Sequence, residues 1–387
     1  QKIIDVWMLK HSKYKRNVWE SSVLSKRIIS WILNVDIILN NGSFYFKRSF
    51  LNSIIAQTNH LKKNIKFEKN YSKRVEILTA LLISGLVFKE YINNFNTGIK
   101  ELEKLVKNYF DNDGFPLTRN PSDLIFFLKY LMLCKECIKD AQQYVPEFLD
   151  TIIDKNLRCI KNILTPNNQT PLFNGGTEDN LEQFNKFLNA LDYKSKDKKN
   201  IIGGIHTFNI KNSAIFFDVG EPPKKSFSKS YQSGPLSFEY YLDGEKIITN
   251  CGFGSNISSK AELLSRLTSA QSTLTLGDTS VTRFERNKLI NRIFGNSIKN
   301  TFKINNLDFA EDKNQIKFIA SHNGYEKKFG CIHKREISID KLNGKLIGCD
   351  EIIKKKDGKP LNYSLRFHLY PGLTAVKTMG GNSVLIQ

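Results

Sequence analysis

Along the first half of the chain, apolar residues recur at helical spacing. Between Ser22 and Leu33 they fall at Val23, Leu24, Ile28, Ile29, Ile32 and Leu33, which predicts a helix with one inward stripe. Val75 to Phe88 is apolar-rich and predicts a helix buried on much of its surface. Asn120, Pro121 and Asp123 together mark a helix start. The amide caps, proline suits the first helical position, and an acid stands three residues after the cap. Leu124, Phe127, Leu128 and Leu131 follow at i, i+3, i+4 and i+7. A further helix is predicted after Pro146, with Leu149, Ile152, Ile153, Leu157 and Ile160 inward, and another over about Asn180 to Leu191. Short loops between these helices imply a layer of helical hairpins.

A charged, apolar-poor stretch at 194–200 is expected to be a linker, and beyond it the period changes to two. Ser213–Asp218, Leu236–Leu242, Lys246–Thr249 and Gln315–Ala320 read as strands. Asn343-Gly344 and Asp357-Gly358 are hairpin signals, because both central positions of a type I′ turn need positive φ. Ile337 and Ile339 alternate into the first of them. Strands joined by short turns without intervening helices predict an antiparallel β-sandwich. The expected fold class is therefore multidomain, α then β: helices over 1–193, linker over 194–200, sandwich over 201–387.

Composition adds a charge. Lysine and arginine number 58 against 38 aspartates and glutamates, a net +20 in 387 residues. Such a field concentrates polyanions: nucleic acid, an anionic membrane face or an acidic polysaccharide. Lys, Asn and Ile are abundant throughout, so part of the excess also fits compositional drift. No nucleic-acid-binding motif accompanies the charge, and no run of 18 apolar residues indicates a membrane span. The six cysteines are too few for a disulfide scaffold. Cys134 and Cys137 fall inside an apolar helical pattern and read as core. The chain begins at Gln1 and ends within an apolar run, and we expect a fragment of a longer protein.

Phosphate-binding, zinc-protease and nucleophile-elbow motifs are absent, so candidate chemistry rests on the scarce histidines. His322 lies in Ser321–Tyr325, His333 two residues before Arg335, and His368 between Arg366 and Tyr370. At period two, His333 and Arg335 share a face, as do Arg366, His368 and Tyr370. A face of His, Arg and Tyr suits an anionic sugar; the same residues would also serve as half-exposed strand residues closing hydrogen bonds.

Asn17, Trp19, Arg27 and Trp31 form an N-x-W…R-x-x-x-W pattern, Asp113-Gly114 precedes Arg119-Asn120-Pro121, and Phe173–Gly176 reads FNGG. LSFE at Leu236, NCG at Asn250, STLTL-x-DTS at Ser272, SHNGY at Ser321, FGCIHKR at Phe329 and RFHLYPG at Arg366 follow. Taken in order, these motifs resemble the heparinase II/III-like family, with its N-x-W…R-x-x-x-W signature, DGG…RNP segment and FNGG.

The resemblance implies an incomplete N-terminal (α/α) toroid followed by an antiparallel β-sandwich. It also implies β-elimination on a uronic-acid polysaccharide of heparan or alginate type, in a bacterial periplasm or cell envelope. A base takes the proton α to the carboxylate and an acid protonates the leaving oxygen, while cationic or amide groups stabilise the enolate. The candidate catalytic residues are His322, Tyr325, His333 and His368. Arg27, Trp31, Arg119, Asn120, Asn174, Arg335 and Arg366 are the candidate substrate contacts.

The departures point elsewhere. The family's divalent-metal positions correspond here to Gln232, Asn250 and Gln271, neutral amides that are poor zinc ligands, so no metal cofactor is expected. The family's Asn-His pair has only Ser72-Lys73 as its nearest match, and the Tyr after the RNP-like segment is replaced by Asp123 or Leu124. The alternative function is thus a carbohydrate-binding or envelope-processing protein that keeps the fold without the elimination chemistry.

Overall fold

The computed structural model describes residues 1–387 apart from 179–180, 192, 194–198, 211, 288, 292–294 and 356–360. Most of the expected linker and the Asp357-Gly358 turn lie outside the described residues. The chain divides into two compact units, Gln1–Phe110 with Ile125–Asn156, and Asp111–Leu124 with Leu157–Gln387. The division does not follow the charged stretch at 194–200. Polar bonds explain why residues 157–193 pack with the strands: Leu172 N–H donates to Glu239, and Lys246 reaches Glu178 at 2.7 Å.

The first unit is helical. Its elements are α1 (Lys2–His11), α2 (Ser21–Leu33), α3 (Val35–Leu39), α4 (Phe44–Asn64), α5 (Tyr71–Val87), α6 (Ile92–Tyr109), most of α7 (Pro121–Asp140) and the start of α8 (Glu147–Ile163). Leu24, Ile28, Ile29 and Ile32 of α2 are buried as the pattern requires, while Val23 and Leu33 at its margins are exposed. Every residue of α5 from Val75 to Gly85 is buried. Its start is fixed by Asn70, whose side chain accepts from the backbone N–H of Ser72 and Lys73. Gly85 lets α6 approach closely, since a Cβ there would stand 2.3 Å from the backbone nitrogen of Phe95.

The second unit is built on two sheets. β1 (Ile201–Ile202), β2 (Ile205–Ile210), β3 (Ser213–Asp218), β4 (Phe238–Leu242) and β5 (Glu245–Thr249) run in order in the first. β6 (Leu274–Leu276) lies outside it. β7 (Ile304–Glu311), β8 (Gln315–His322), β9 (Cys331–Asp340) and β10 (Lys345–Lys354) form the second sheet. β11 (Tyr363–Leu365) pairs with β6, β12 (His368–Leu369) adds to β5, and β13 (Ala375–Lys377) pairs with β14 (Val384–Ile386). All these pairings are antiparallel. Phe208, Ile215, Phe217 and Phe238 of the first sheet pack on Ile316, Phe318, Ile337 and Ile339 of the second, which makes the sandwich core.

Three local expectations change. Leu236 is not in a strand but at φ +58°, its N–H bonded to Asp218, so β4 starts at Phe238. The Asn343-Gly344 hairpin has four loop residues, since Asp340 pairs with Lys345 and only Gly344 has positive φ. The tight two-residue turn is instead Asp243-Gly244, at φ +50° and +86° between the paired Leu242 and Glu245. A helix also occurs among the strands, since α10 (Ser259–Ser265), capped by Ser258, follows β5; α9 (Glu182–Ala190) precedes the strands, where the pattern predicts it.

Candidate functional site

The period-two reading of β8 and β9 holds: His333 and Arg335 both point inward. Register sets His322 opposite His333, and Arg335 opposite Asp350 of β10. The result is a buried chain. His322 Nε2 and His333 Nδ1 lie 3.1 Å apart, and His333 Nε2 lies 2.6 Å from Asp350. Arg335 grips both Asp350 oxygens, at 2.7 and 3.1 Å, and donates to the carbonyls of Leu236 and Ser272. His322 Nδ1 accepts from Gly324 N–H. Tyr325 donates its hydroxyl to the Leu274 carbonyl at 3.0 Å.

Electrostatics follow burial. Desolvation, with the charges of His333 and Arg335, holds His322 well below the ordinary histidine value. His333 is lowered mainly by desolvation, against the pull of Asp350. Burial tends to raise Asp350, but His333 and Arg335 outweigh it and bring the carboxyl down to about 2. Desolvation pushes the Tyr325 phenol up. None of His322, His333, Tyr325 or Arg335 exposes more than 1% of its surface. A polymer cannot touch them as placed.

His368 is set differently. Pairing of β12 with Thr249 of β5 brings it to a surface pocket of about 320 Å³, shared with Leu172, Glu178, Asn250, Cys251 and Tyr370. His368 Nε2 lies 3.1 Å from the Ser269 carbonyl. Tyr370 donates to Glu178 at 3.4 Å, and Lys246 bridges Glu178 (2.7 Å) and the buried Glu239 (3.3 Å). Burial tends to lower the Lys246 ammonium, but Glu239 beside it wins and holds it above its ordinary value. Glu178's charge raises the Tyr370 phenol. The pocket is therefore lined by a tyrosine, a half-buried carboxylate and an imidazole.

The remaining candidates make structural contacts. Arg119 sits at φ +59° and binds the carbonyls of Gly203, Gly204, Gly220 and Glu221, and the Asp218 carboxylate. Asn120 caps α7 through Ser122 N–H at 2.9 Å. Buried Asn174 accepts from Gln232 N–H. Arg366 bonds Thr275 and lies 3.8 Å from Asp278, outside the residues lining the pocket. In the helical unit, Arg27 donates to Gln57 and to the Val18 carbonyl and covers the Trp7 ring. Trp31 is buried against Trp7 and Phe50. A hollow of about 600 Å³ in that unit is lined by Lys26, Ile29, Phe126 and Tyr130 among others. Beside it, buried Glu76 takes Lys26 and the Tyr130 hydroxyl.

No spacing marks Asp350, Glu178, Glu239 and Lys246 as site residues in the sequence. Glu239 and Lys246 meet across the local β4–β5 hairpin, whereas Glu178 reaches Lys246 only through the long-range fold.

At each expected metal position the amide makes protein hydrogen bonds, and of their nitrogens only Asn250 Nδ2 is left without a partner among the described residues. Gln232 Nε2 donates to the carbonyls of Gly252 (2.6 Å) and Ser265 (2.9 Å), and its Oε1 accepts from Gly175. Gln271 Nε2 also donates to Ser265, and Asn250 Oδ1 accepts from Ser272 N–H. Amide nitrogens facing carbonyl oxygens present no lone pair to a cation, so this donor set does not fit a divalent metal. Among the described residues no group of three His, Cys, Asp or Glu is placed to hold one. Nor is any described helix long and apolar enough to cross a membrane.

Comparison with known proteins gives the setting. Over its whole length the chain is 22% identical to FtsZ-localized protein C of Caulobacter vibrioides (strain NA1000 / CB15N), covering 68% of that relative. Among solved structures it superposes on a mutant of the heparan sulfate lyase HepC from Pedobacter heparinus with a TM-score of 0.72 at 18% identity. That match covers 99% of this chain and 62% of the other. Heparinase III gives 0.72 at 16% identity, covering 99% and 63%. The chain thus spans a little over three-fifths of the length of those structures, and the likeness is one of fold: a toroid-type helical part followed by a β-sandwich. Residues 201–387, just under half of the chain, match the family described as Heparinase II/III-like, C-terminal.

Proposed function

We propose that this protein binds an acidic, uronate-containing polysaccharide on a lyase fold without performing β-elimination. The observation that carries the reading is the division between sealed and open groups. Of the candidate base and acid groups, His322, His333 and Tyr325 are buried and bonded to protein partners, and His368 alone lines the open pocket, away from the candidate acid Tyr325. Elimination needs a base against the proton α to the carboxylate and an acid against the leaving oxygen, both in direct contact. What faces solvent is the Glu178, His368 and Tyr370 pocket, whose size suits about one sugar ring and whose tyrosine supplies a stacking surface. The net charge of +20 favours a polyanion around it. The lyase names of the structural neighbours support the polysaccharide class, and the amides at the metal positions support a site without a bound cation.

The test incubates the protein with heparan sulfate, alginate and related polymers, measuring retention of the polymer and absorbance in the unsaturated-uronate band. Retention without new absorbance supports binding. New absorbance that His368→Ala or Tyr370→Phe abolishes would assign elimination to the surface pocket instead. We also infer a location alongside FtsZ, extending to this chain what the relative's name states of that protein. A fluorescent fusion scored against labelled FtsZ tests it.

A further inference from the structure

Gln232 and Gln271 converge on one atom. Both side-chain nitrogens donate to the Ser265 carbonyl, at 2.9 and 2.8 Å, which uses both of its lone pairs. The second Gln232 hydrogen goes to Gly252, and its oxygen takes Gly175 N–H. Asn250, two residues before Gly252, accepts from Ser272 beside Gln271. Four chain segments therefore meet here: the Asn174–Gly175 turn, the strand approach at Gln232, the loop after β5, and the stretch from Ser265 to Ser272. Gln232, Asn250 and Gln271 are each 2% exposed or less. Gly175 comes so close that a Cβ there would stand 2.6 Å from Ser230 Cβ.

We propose that this amide knot joins the loops of the sandwich by hydrogen bonds at the place where a divalent cation would otherwise join them, and that the unit folds and holds without metal. The chemistry is specific to an amide at position 232. Only a side chain with two N–H groups and one acceptor satisfies Gly252, Ser265 and Gly175 together. A carboxylate of the same shape turns both donors into acceptors facing two carbonyl oxygens. A cation placed among these atoms would meet the N–H groups of two glutamines. The inference is independent of whether a polysaccharide binds.

The experiment uses the full chain, purified once with excess zinc and once with chelator, then dialysed. Metal content is read by mass spectrometry and stability by thermal melting, for wild type and Gln232→Glu. The expected results are no stoichiometric zinc, identical melting with and without chelator, and a melting temperature several degrees lower for Gln232→Glu in metal-free buffer. Stoichiometric zinc in the wild type, or a melt lowered by chelator, would overturn it. So would a metal-free Gln232→Glu that melts with the wild type. If Gln232→Glu does not fold, the metal content and chelator response of the wild type still decide.

Discussion

Replacing Asp350 with alanine removes the one carboxylate that serves both Arg335 and His333. The Asp350 carboxyl falls from 3.8 to about 2 in the fold. At about 1.4 kcal/mol per unit, that is a preference of roughly 2–3 kcal/mol for the charged form. Stranding a buried arginine costs more, about 3–5 kcal/mol. For a unit of this size each kcal/mol lowers the melting temperature by about 2–4 °C, so Asp350→Ala should melt roughly 6–20 °C below wild type.

The second variant isolates the cause. Arg335→Met with Asp350→Ala removes both charges and should recover a large part of the loss, because apolar pairs of similar volume replace buried ion pairs well. Differential scanning calorimetry with urea melts at pH 7 reads both. Polysaccharide retention, measured below the melting range, should be unchanged in either. An Asp350→Ala protein that melts with the wild type while losing retention would refute the structural role and return these residues to the site. The pH dependence has a defined sign. The buried imidazoles of His206, His322 and His333 all lie below their ordinary value in the fold, so on acidification the unfolded chain takes up protons first. Stability should hold above about pH 6.5 and fall below it, by about 1.4 kcal/mol per pH unit from His322 alone. Asp350 adds a further loss as the pH falls from 3.8 through about 2.

Other outcomes follow from the same contacts. His368→Ala and Tyr370→Phe should each weaken polysaccharide retention several-fold in affinity electrophoresis, with melting temperatures near wild type. Tyr325→Phe leaves the Leu274 carbonyl without its donor and should cost about 1 kcal/mol in urea melts while leaving retention intact. Asn120→Ala removes the α7 cap and should cost about 1 kcal/mol by the same assay. Retention should decline steadily between low and 0.5 M salt, since a field of surface charges is screened.

Where residue pattern sufficed, the sequence was readable. The Asn120-Pro121 start, the inward stripe of α2 and the shared face of His333 and Arg335 are local consequences of period and capping chemistry, and all are present. Leu236 was misread because its side chain continues the strand alternation, while a backbone bond to Asp218 holds it at positive φ. The functional weight given to His322 and His333 failed to anticipate burial. Period two fixes which side a residue faces but not what lies there, and Asp350 reaches them only through pairing of β9 with β10. Glu178 and Tyr370 are 192 positions apart in sequence, and no spacing rule joins them. The Gln232, Asn250 and Gln271 positions were legible as departures from a family pattern, whereas their shared Ser265 and Ser272 partners required coordinates.

The most direct test of the central claim is a paired measurement on one sample of wild-type protein with heparan sulfate or alginate: retention of the polymer, and absorbance in the unsaturated-uronate band over the same hours. The account predicts salt-sensitive retention that His368→Ala weakens, with absorbance flat throughout. Absorbance that rises with protein concentration, or polymer that is not retained at low salt, would contradict it.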